Sequence, residues 1–367
     1  MPFLRLRVER QTKVTKPNYK VPSMDEIQNI PWNGFKVAST FSGGGGSCLG
    51  YRLAGYRVVY ANEFIPEAQT TYKNNHPNSF LDTRDIRTVE AEDVLDKARV
   101  DVGELDIFDG SPPCSAFSTA GKRERGWGEV KKYSDSEQRV DDLFYEYVRL
   151  LRGIQPKVFV AENVTGLVKG TAKGYFKRIM AALRECGYTV SCKILDSQWL
   201  GVPQKRQRTI FVGVRNDLKK DPVHPSPFPY RYSIEEALEG CPEPGANEYR
   251  ALSADTKTAK YWRETIPGHN FADACMRDTG KGSFFNMTKL DPLKTAPTIT
   301  ATCQQFHWKE FRYLTIPELK RVSGFPDDFR LTGEFLQRWE RCGRAVPPLM
   351  MCQVAKAIEA GVLKCAG

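Results

Sequence analysis

Short apolar runs separated by amphipathic stretches organise the chain between Phe35 and Val214. Lys36–Phe41 has the makeup of a strand and Ser47–Ala54 that of a helix. Arg57–Asn62 predicts a second strand. The helix after it opens with Pro66, whose missing N–H is no loss in a first turn. Leu105–Asp109, Lys157–Ala161, Thr189–Leu195 and Thr209–Val214 predict further strands, with helices near 139–152 and 173–186 between them. This alternation predicts an α/β fold with a doubly wound, mostly parallel, Rossmann-like sheet. Past Asn216 the pattern fades. Residues 216–300 hold many prolines, glycines and isolated aromatics, and read as a smaller separate domain; regular helical pattern returns from Ile316 within the final segment, 301–367. Residues 1–34 read as a basic, proline-containing N-terminal arm, peripheral or partly ordered, beside the main domain, 35–215.

Composition narrows the class. A chain of 367 residues, 41% hydrophobic, buries a sizeable core, and Lys+Arg 54 against Asp+Glu 44 leaves +10, which suits a polyanionic partner. The 10 cysteines are scattered without a Cys-x-x-Cys pair and only 4 histidines accompany them, which fits neither a disulfide framework nor a metal site. No apolar run of membrane-spanning length is evident, and a cytoplasmic, membrane-independent protein is expected.

Several stretches carry candidate chemistry. Ser111-Pro112-Pro113-Cys114 follows the apolar-acidic run Leu105–Gly110, so the prolines turn the chain out of the sheet and set a thiol on a loop at a strand's carboxyl end. Phe41–Ser47, with four glycines, lies between the first strand and the first helix, where backbone approaches a ligand closely and helix N–H groups are free. Glu63 follows the second strand, where a carboxylate suits the hydroxyls of a ribose, and Asp85 follows the next apolar segment; together they suggest a nucleoside-containing cofactor. Glu162 closes the strand Val158–Ala161 beside the Cys114 loop, where burial would raise its pKa. Gln204-Lys205-Arg206-Gln207-Arg208 precedes the last strand, and its i, i+2 spacing would send Arg206 and Arg208 to one side. A thiolate, a glutamate and an arginine in one pocket suit nucleophilic catalysis better than hydride transfer.

These residues, in this order, resemble the DNA (cytosine-5) methyltransferases. The likeness runs from Phe35 to Ile358 and adds Pro297-Thr298-Ile299-Thr300, Arg312–Phe329 and Gly343-Arg344-Ala345-Val346-Pro347. It implies an S-adenosylmethionine-dependent catalytic domain, a target-recognition domain at 216–300, a C-terminal segment returning to the catalytic domain, and double-stranded DNA bound by a monomer in a bacterial or phage-infected cell. It also implies roles. Cys114 would add to cytosine C6, Glu162 would hold N3 and the exocyclic amine, Arg206 and Arg208 would assist, and Asn163 would order the loop. The cofactor would touch Phe41, Ser42, Gly43, Gly45, Glu63, Phe64, Asp85, Ile86, Pro112, Leu143, Arg344 and Ala345. The target base would be flipped out of the duplex.

The loop after Cys114 is basic and glycine-punctuated, and its Ser118, Lys122, Arg123 and Arg125 are expected on DNA, with Gln204, Arg231 and Arg263. Tyr230, Tyr232, Tyr261, Trp262 and His269 are further expected contacts in the recognition domain. Two positions depart from the family pattern: Ser115, where glutamine is usual, and Arg344, where asparagine is usual. A guanidinium near a sulfonium needs an anion, so Arg344 raises carboxy-S-adenosylmethionine as a second donor and 5-carboxymethylcytosine as a product, unless a neighbouring carboxylate or a phosphate neutralises it. A tRNA cytosine methyltransferase and a catalytically inactive DNA-binding regulator are the alternatives.

Overall fold

The computed structural model describes residues 15–113, 143–168 and 173–364, and the backbone of 130–133 and 136–139. Cys114, Ser115, Ser118, Lys122, Arg123 and Arg125 lie outside the described residues. In chain order the elements are α1 (Met24–Gln28), β1 (Lys36–Thr40), α2 (Gly46–Leu53), β2 (Arg57–Asn62), α3 (Pro66–Asn75), β3 (Phe80–Asp82), α4 (Ala91–Ala98) and β4 (Ile107–Gly110). The strands β5 (Val130–Tyr133) and β6 (Ser136–Arg139) pair antiparallel, and are followed by α5 (Leu143–Ile154), β7 (Val158–Val164), α6 (Lys173–Glu185), β8 (Tyr188–Asp196) and β9 (Gln207–Arg215). Then come α7 (Ile234–Leu238), α8 (Lys257–Glu264), α9 (Ala272–Thr279), β10 (Thr288–Lys289), β11 (Gln305–Phe306), α10 (Ile316–Val322), α11 (Phe335–Arg344) and α12 (Pro348–Ile358).

Seven strands form one sheet in the order β3-β2-β1-β4-β7-β9-β8, with β9 antiparallel to both neighbours. The doubly wound, mostly parallel expectation holds, and the predicted strand positions agree to within a few residues. Both faces of the sheet's centre are covered, so its central strands are largely apolar and split their side chains by the period of two, while the edge strand β8 is mostly half-buried or exposed. Val37, Ile107, Val158, Val160 and Val212 enter one core with α2 and α12. Ala38, Phe108, Phe159, Ala161 and Phe211 enter the other with α4, α5 and α6. The chain reverses strand order between β1 and β4, and at that switch point open α/β sheets bind ligands beyond the strand ends.

The C-terminal segment closes this crevice. A Cβ on Gly50 would lie 2.7 Å from the Pro348 carbonyl oxygen, and one on Gly46 would lie 2.5 Å from that of Val346, so glycine lets α12 pack directly on α2. Phe335–Leu363 is one helical stretch long and apolar enough to cross a membrane by composition, yet 67% of its most apolar window is buried in the protein and Ala345–Pro347 interrupts it. A third, smaller core joins Leu252, Tyr261, Phe271, Cys275 and Phe306, with Phe311 and Tyr313 packed against it. It extends past residue 300, whereas Ile234 and Leu290 belong to the main core.

The arm is anchored from residue 15 onward. Tyr19 donates to the Arg321 carbonyl at 2.6 Å, Tyr232 donates to that of Pro17 at 3.0 Å, and Lys16 pairs with Glu236. Tertiary contacts hold a segment in which periodicity gave no signal.

Candidate active site

At the switch point the loop after β1 is folded by left-handed residues: Phe41 at φ +53°, Gly43 at +56° and Gly45 at +92°. Phe41 bears a strain of about 1–2 kcal/mol that glycine would avoid, while its half-buried ring packs on the second core. Gly45 donates to the Ser42 carbonyl at 2.9 Å, and Ser42 Oγ donates to that of Ser39 at 3.2 Å. A Cβ on Gly45 would sit 2.2 Å from His76 Nε2, so only glycine fits against this imidazole. Burial keeps His76 neutral, its pKa pushed down to about 3. His76 and Tyr72, which stacks on it, support the loop from α3, and nothing in the sequence pattern marked them.

Glu63 follows β2 and is fixed by two backbone N–H groups. Its Oε2 accepts the Gly43 N–H and its Oε1 the Ile65 N–H, both at 2.7 Å. Burial raises its pKa, opposed by those N–H groups and by the charge of Arg341. Arg341 thus borders Glu63 from α11, a neighbour that sequence reasoning missed. A Cβ on Gly43 would meet nothing within 4 Å, so space opens beside the Glu63 carboxylate, whose remaining lone pairs suit hydroxyl donors. Phe64 is half-buried next to it. Asp85 accepts the Arg87 N–H at 3.0 Å and pairs with its guanidinium at 3.0 Å. Ile86 is buried, and its carbonyl accepts from Arg149 at 3.0 Å. Leu143 is fully buried at the start of α5.

Across the crevice, the β4 loop is tied to β7. Asn163 Nδ2 donates to the Pro112 carbonyl at 3.1 Å, two residues before the expected nucleophile. Glu162 Oε1 pairs with Arg208 Nε at 2.7 Å, the two side chains 11% and 14% exposed. β7 runs to Val164 against β9, with Val164 opposite Arg208, which brings these two side chains within reach. The burial expected at Glu162 therefore comes with a guanidinium partner.

Several expected contacts are placed differently. Arg206 lies close enough to Arg208 and Glu162 to feel both charges, but it precedes β9, is buried, and donates to the carbonyls of Ile299 at 2.7 Å and Gly343 at 2.8 Å. Its pKa is lowered to about 9, first by burial and then by Arg208. Gln204 is buried rather than on a DNA face. It donates to Ser323 Oγ at 3.2 Å and accepts the Ile299 N–H at 3.1 Å, because its segment pairs with Ala296. Tyr261 is fully buried and donates to Asp278 at 2.9 Å, and Tyr232 is buried against the arm, so neither presents a surface to DNA. Arg231 is exposed over the Trp199 ring at 4.6 Å, Arg263 over that of Phe311 at 4.9 Å, and His269 is exposed. Trp262 and Tyr230 are half-buried.

Arg344 has its anion within the protein. Its Nε pairs with Glu340 one turn earlier on α11 at 2.7 Å, and the side chain is 43% exposed. Ala345 lies against the glycine loop, 3.1 Å from where a Gly46 Cβ would be.

A family model for C-5 cytosine-specific DNA methylases matches residues 35–360. Type II methyltransferase M1.HphI of Haemophilus parahaemolyticus is 29% identical over 327 residues, which cover 87% of this chain and 85% of that protein. Type II methyltransferase M.FnuDI of Fusobacterium nucleatum is 30% identical over 347 residues, covering 88% and 94%. A prophage-encoded E. coli protein assigned as a DNA modification methyltransferase has the same fold, with a TM-score of 0.68 at 23% identity over 89% of this chain and 99% of that one. With its reversed β9, its glycine loop at the switch point and the Glu162–Arg208 pair beside it, the chain belongs to the C-5 cytosine-specific DNA methylase family.

Proposed function

We propose that this chain methylates C5 of cytosine in double-stranded DNA, with Cys114 as nucleophile and the switch-point crevice as the S-adenosylmethionine site. The observation that carries this is the join between β7 and the β4 loop: Asn163 holds the Pro112 carbonyl while the adjacent Glu162 is paired with Arg208. Pro112, two residues before Cys114, is thereby held near a carboxylate and a guanidinium, which supports reading Cys114 as their partner in catalysis. S-adenosylmethionine bound in the crevice supplies an electrophilic methyl group. Glu63 and the Gly43 backbone take its ribose side, Phe41, Phe64, Asp85, Ile86, Pro112 and Leu143 its adenine side, and Ser42, Gly45 and Ala345 line the loop wall.

Cytosine C5 is a weak nucleophile until the ring loses its aromaticity. The Cys114 thiolate adds to C6, and Glu162 shares a proton with N3 as electron density enters the ring. C5 would then bond to the methyl carbon as that carbon's bond to the donor sulfur breaks, leaving S-adenosylhomocysteine. A base, water among the candidates, would take the C5 proton while Cys114 departs as thiolate, which restores the ring. The base is out of the duplex throughout, since stacked cytosine exposes neither face to a thiol. Arg206 and Gln204 act on this chemistry indirectly, by holding the segments that wall the crevice. Arg231 and Arg263, with Ser118, Lys122, Arg123 and Arg125, are assigned to the nucleic acid.

Label from S-adenosylmethionine should enter duplex DNA and not tRNA, and a 5-fluorocytosine duplex should give a denaturation-resistant adduct. Cys114→Ala should lose turnover by several orders of magnitude and form no adduct. Label in tRNA alone, or an adduct with the alanine variant, overturns the reading. Carboxymethyl transfer rested on an arginine in need of an anion, and Glu340 meets that need, so the methyl donor is preferred. Nucleoside mass spectrometry with both donors should show 5-methylcytosine alone; a carboxymethyl product that vanishes in Arg344→Asn would reinstate the second donor.

A further inference from the structure

Beneath the glycine loop lies a buried acid that this chemistry does not use. Asp109 sits on β4, upstream of Cys114 on the same segment, and is 1% exposed. Its Oδ2 accepts from Ser39 Oγ on β1 and from Ser47 Oγ in the first turn of α2, each at 2.9 Å. Its Oδ1 accepts from Tyr51 of α2 at 3.2 Å. Ser42 Oγ in the loop donates to Ser39 Oγ at 3.2 Å, which extends the network to the loop itself. The three donors to the carboxylate are neutral hydroxyls. A carboxylate buried this way is unfavourable for the fold, and burial pushes its pKa up to about 6. An apolar or amide side chain would pack there at lower cost, which points to a role in activity.

We propose that ionised Asp109 is a positioning residue for the cofactor, locking the glycine loop and the first turns of α2 onto the strand that leads to Cys114. The proposal rests on the reading of that loop as the S-adenosylmethionine site. Ionised, the carboxylate accepts all three hydroxyls together. Once protonated, one of its oxygens becomes a donor, one hydroxyl must turn away, and the loop loses a fixed contact. The titratable groups facing it are Tyr51 and Cys48 on α2, Tyr147 on α5 and Glu162 on β7. Burial drives both tyrosines well above neutrality and Cys48 to about 11, so these three do not change charge between pH 5 and 8. Glu63 is also raised, so the affinity of the parent protein at each pH does not isolate Asp109; the ratio between parent and variant does.

The experiment compares the full chain with Asp109→Asn, using S-adenosylhomocysteine titrated by calorimetry from pH 5.5 to 7.5. The variant should bind roughly tenfold more weakly at pH 7.5, with the ratio falling toward one at pH 5.5, where the parent is itself neutral at this site. Its melting should move the other way. The folded pKa of Asp109 exceeds the unfolded value, so its stabilising contribution is complete below the unfolded pKa and lost as pH rises through about 6. Asp109→Asn should therefore melt above the parent at pH 7.5, with the gap shrinking as pH falls. Ser47→Ala should weaken binding in the parent and add little on top of Asp109→Asn. Equal affinities at pH 7.5, or a ratio indifferent to pH, overturn the proposal. Should Asp109→Asn fail to fold, Ser47→Ala and Tyr51→Phe ask the same question, and unchanged affinity in both overturns it. A parent that binds no S-adenosylhomocysteine at any pH removes the cofactor reading and this proposal together, whereas binding with a flat ratio removes this proposal alone.

Discussion

Glu162 and Arg208 show what a pair of side chains decides at the residue scale. Each is nearly buried, and each supplies the countercharge that makes the other tolerable out of water. Glu162→Gln keeps the shape and a hydrogen-bond acceptor for Arg208 but cannot share a proton with cytosine N3. We expect the fold and DNA binding to persist, while single-turnover methyl transfer falls by about 10²–10⁴. A variant matching the parent rate would make the pair structural. Glu162 was legible in the sequence because it follows the apolar run Val158–Ala161, although β7 continues to Val164. The anion of Arg344 was foreseen only as one option: the i, i+4 spacing to Glu340 is visible in the sequence, but it carries weight only once Phe335–Arg344 is known to be helical.

Between elements, the junction of Ile299, Arg206 and Gly343 fastens the C-terminal helices to the catalytic sheet. A buried guanidinium spans two backbone carbonyls there, and a Cβ on Gly343 would come within 2.1 Å of the Thr300 oxygen. Neither side of that contact is the end of a flexible side chain, so relief requires α11 to move. Gly343→Ala should lower unfolding free energy by about 1–3 kcal/mol or more in urea titration. Gly174→Ala, on an exposed turn of α6 with nothing within 4 Å, is the control and should be neutral or slightly stabilising. Equal stability of the two variants would mean that α11 yields easily at this junction. Sequence pattern placed α11 and α12 in a regular helical tail. It did not show that Arg206 belongs to their anchorage, because a cation in a charged run reads as a surface group until a partner segment buries it.

At the scale of the whole molecule, a net charge of +10 meets a polyanion, and that attraction weakens with salt through counterion release. The logarithm of affinity for an unmodified duplex should fall linearly with log salt, so that affinity drops by about 10³ between 50 and 200 mM if six phosphates are engaged, as read by fluorescence anisotropy. A flat salt response would count against the assignment of Arg231, Arg263 and the basic loop to nucleic acid. The anchored arm belongs to this scale as well. Lys16, Pro17 and Tyr19 join Glu236, Tyr232 and Arg321, contacts separated by more than 200 residues that no local pattern encodes.

The sequence by itself determined the order of six of the seven strands of the main sheet, all but the short β3, together with the two loops at the carboxyl ends of β1 and β4, and the identities of Glu63, Glu162 and Arg208 as polar residues at the ends of apolar runs. Those features follow from local periodicity and from the turn chemistry of glycine and proline, which act within a few residues. Only the tertiary structure decided which cations face the crevice, which tyrosines of the recognition segment are buried, and that Asp109 holds Ser39, Ser47 and Tyr51 beneath the glycine loop. Burial and pairing depend on segments far apart in the chain, so the same arginine or aspartate reads alike in sequence whether water, a carbonyl or a ring of hydroxyls surrounds it.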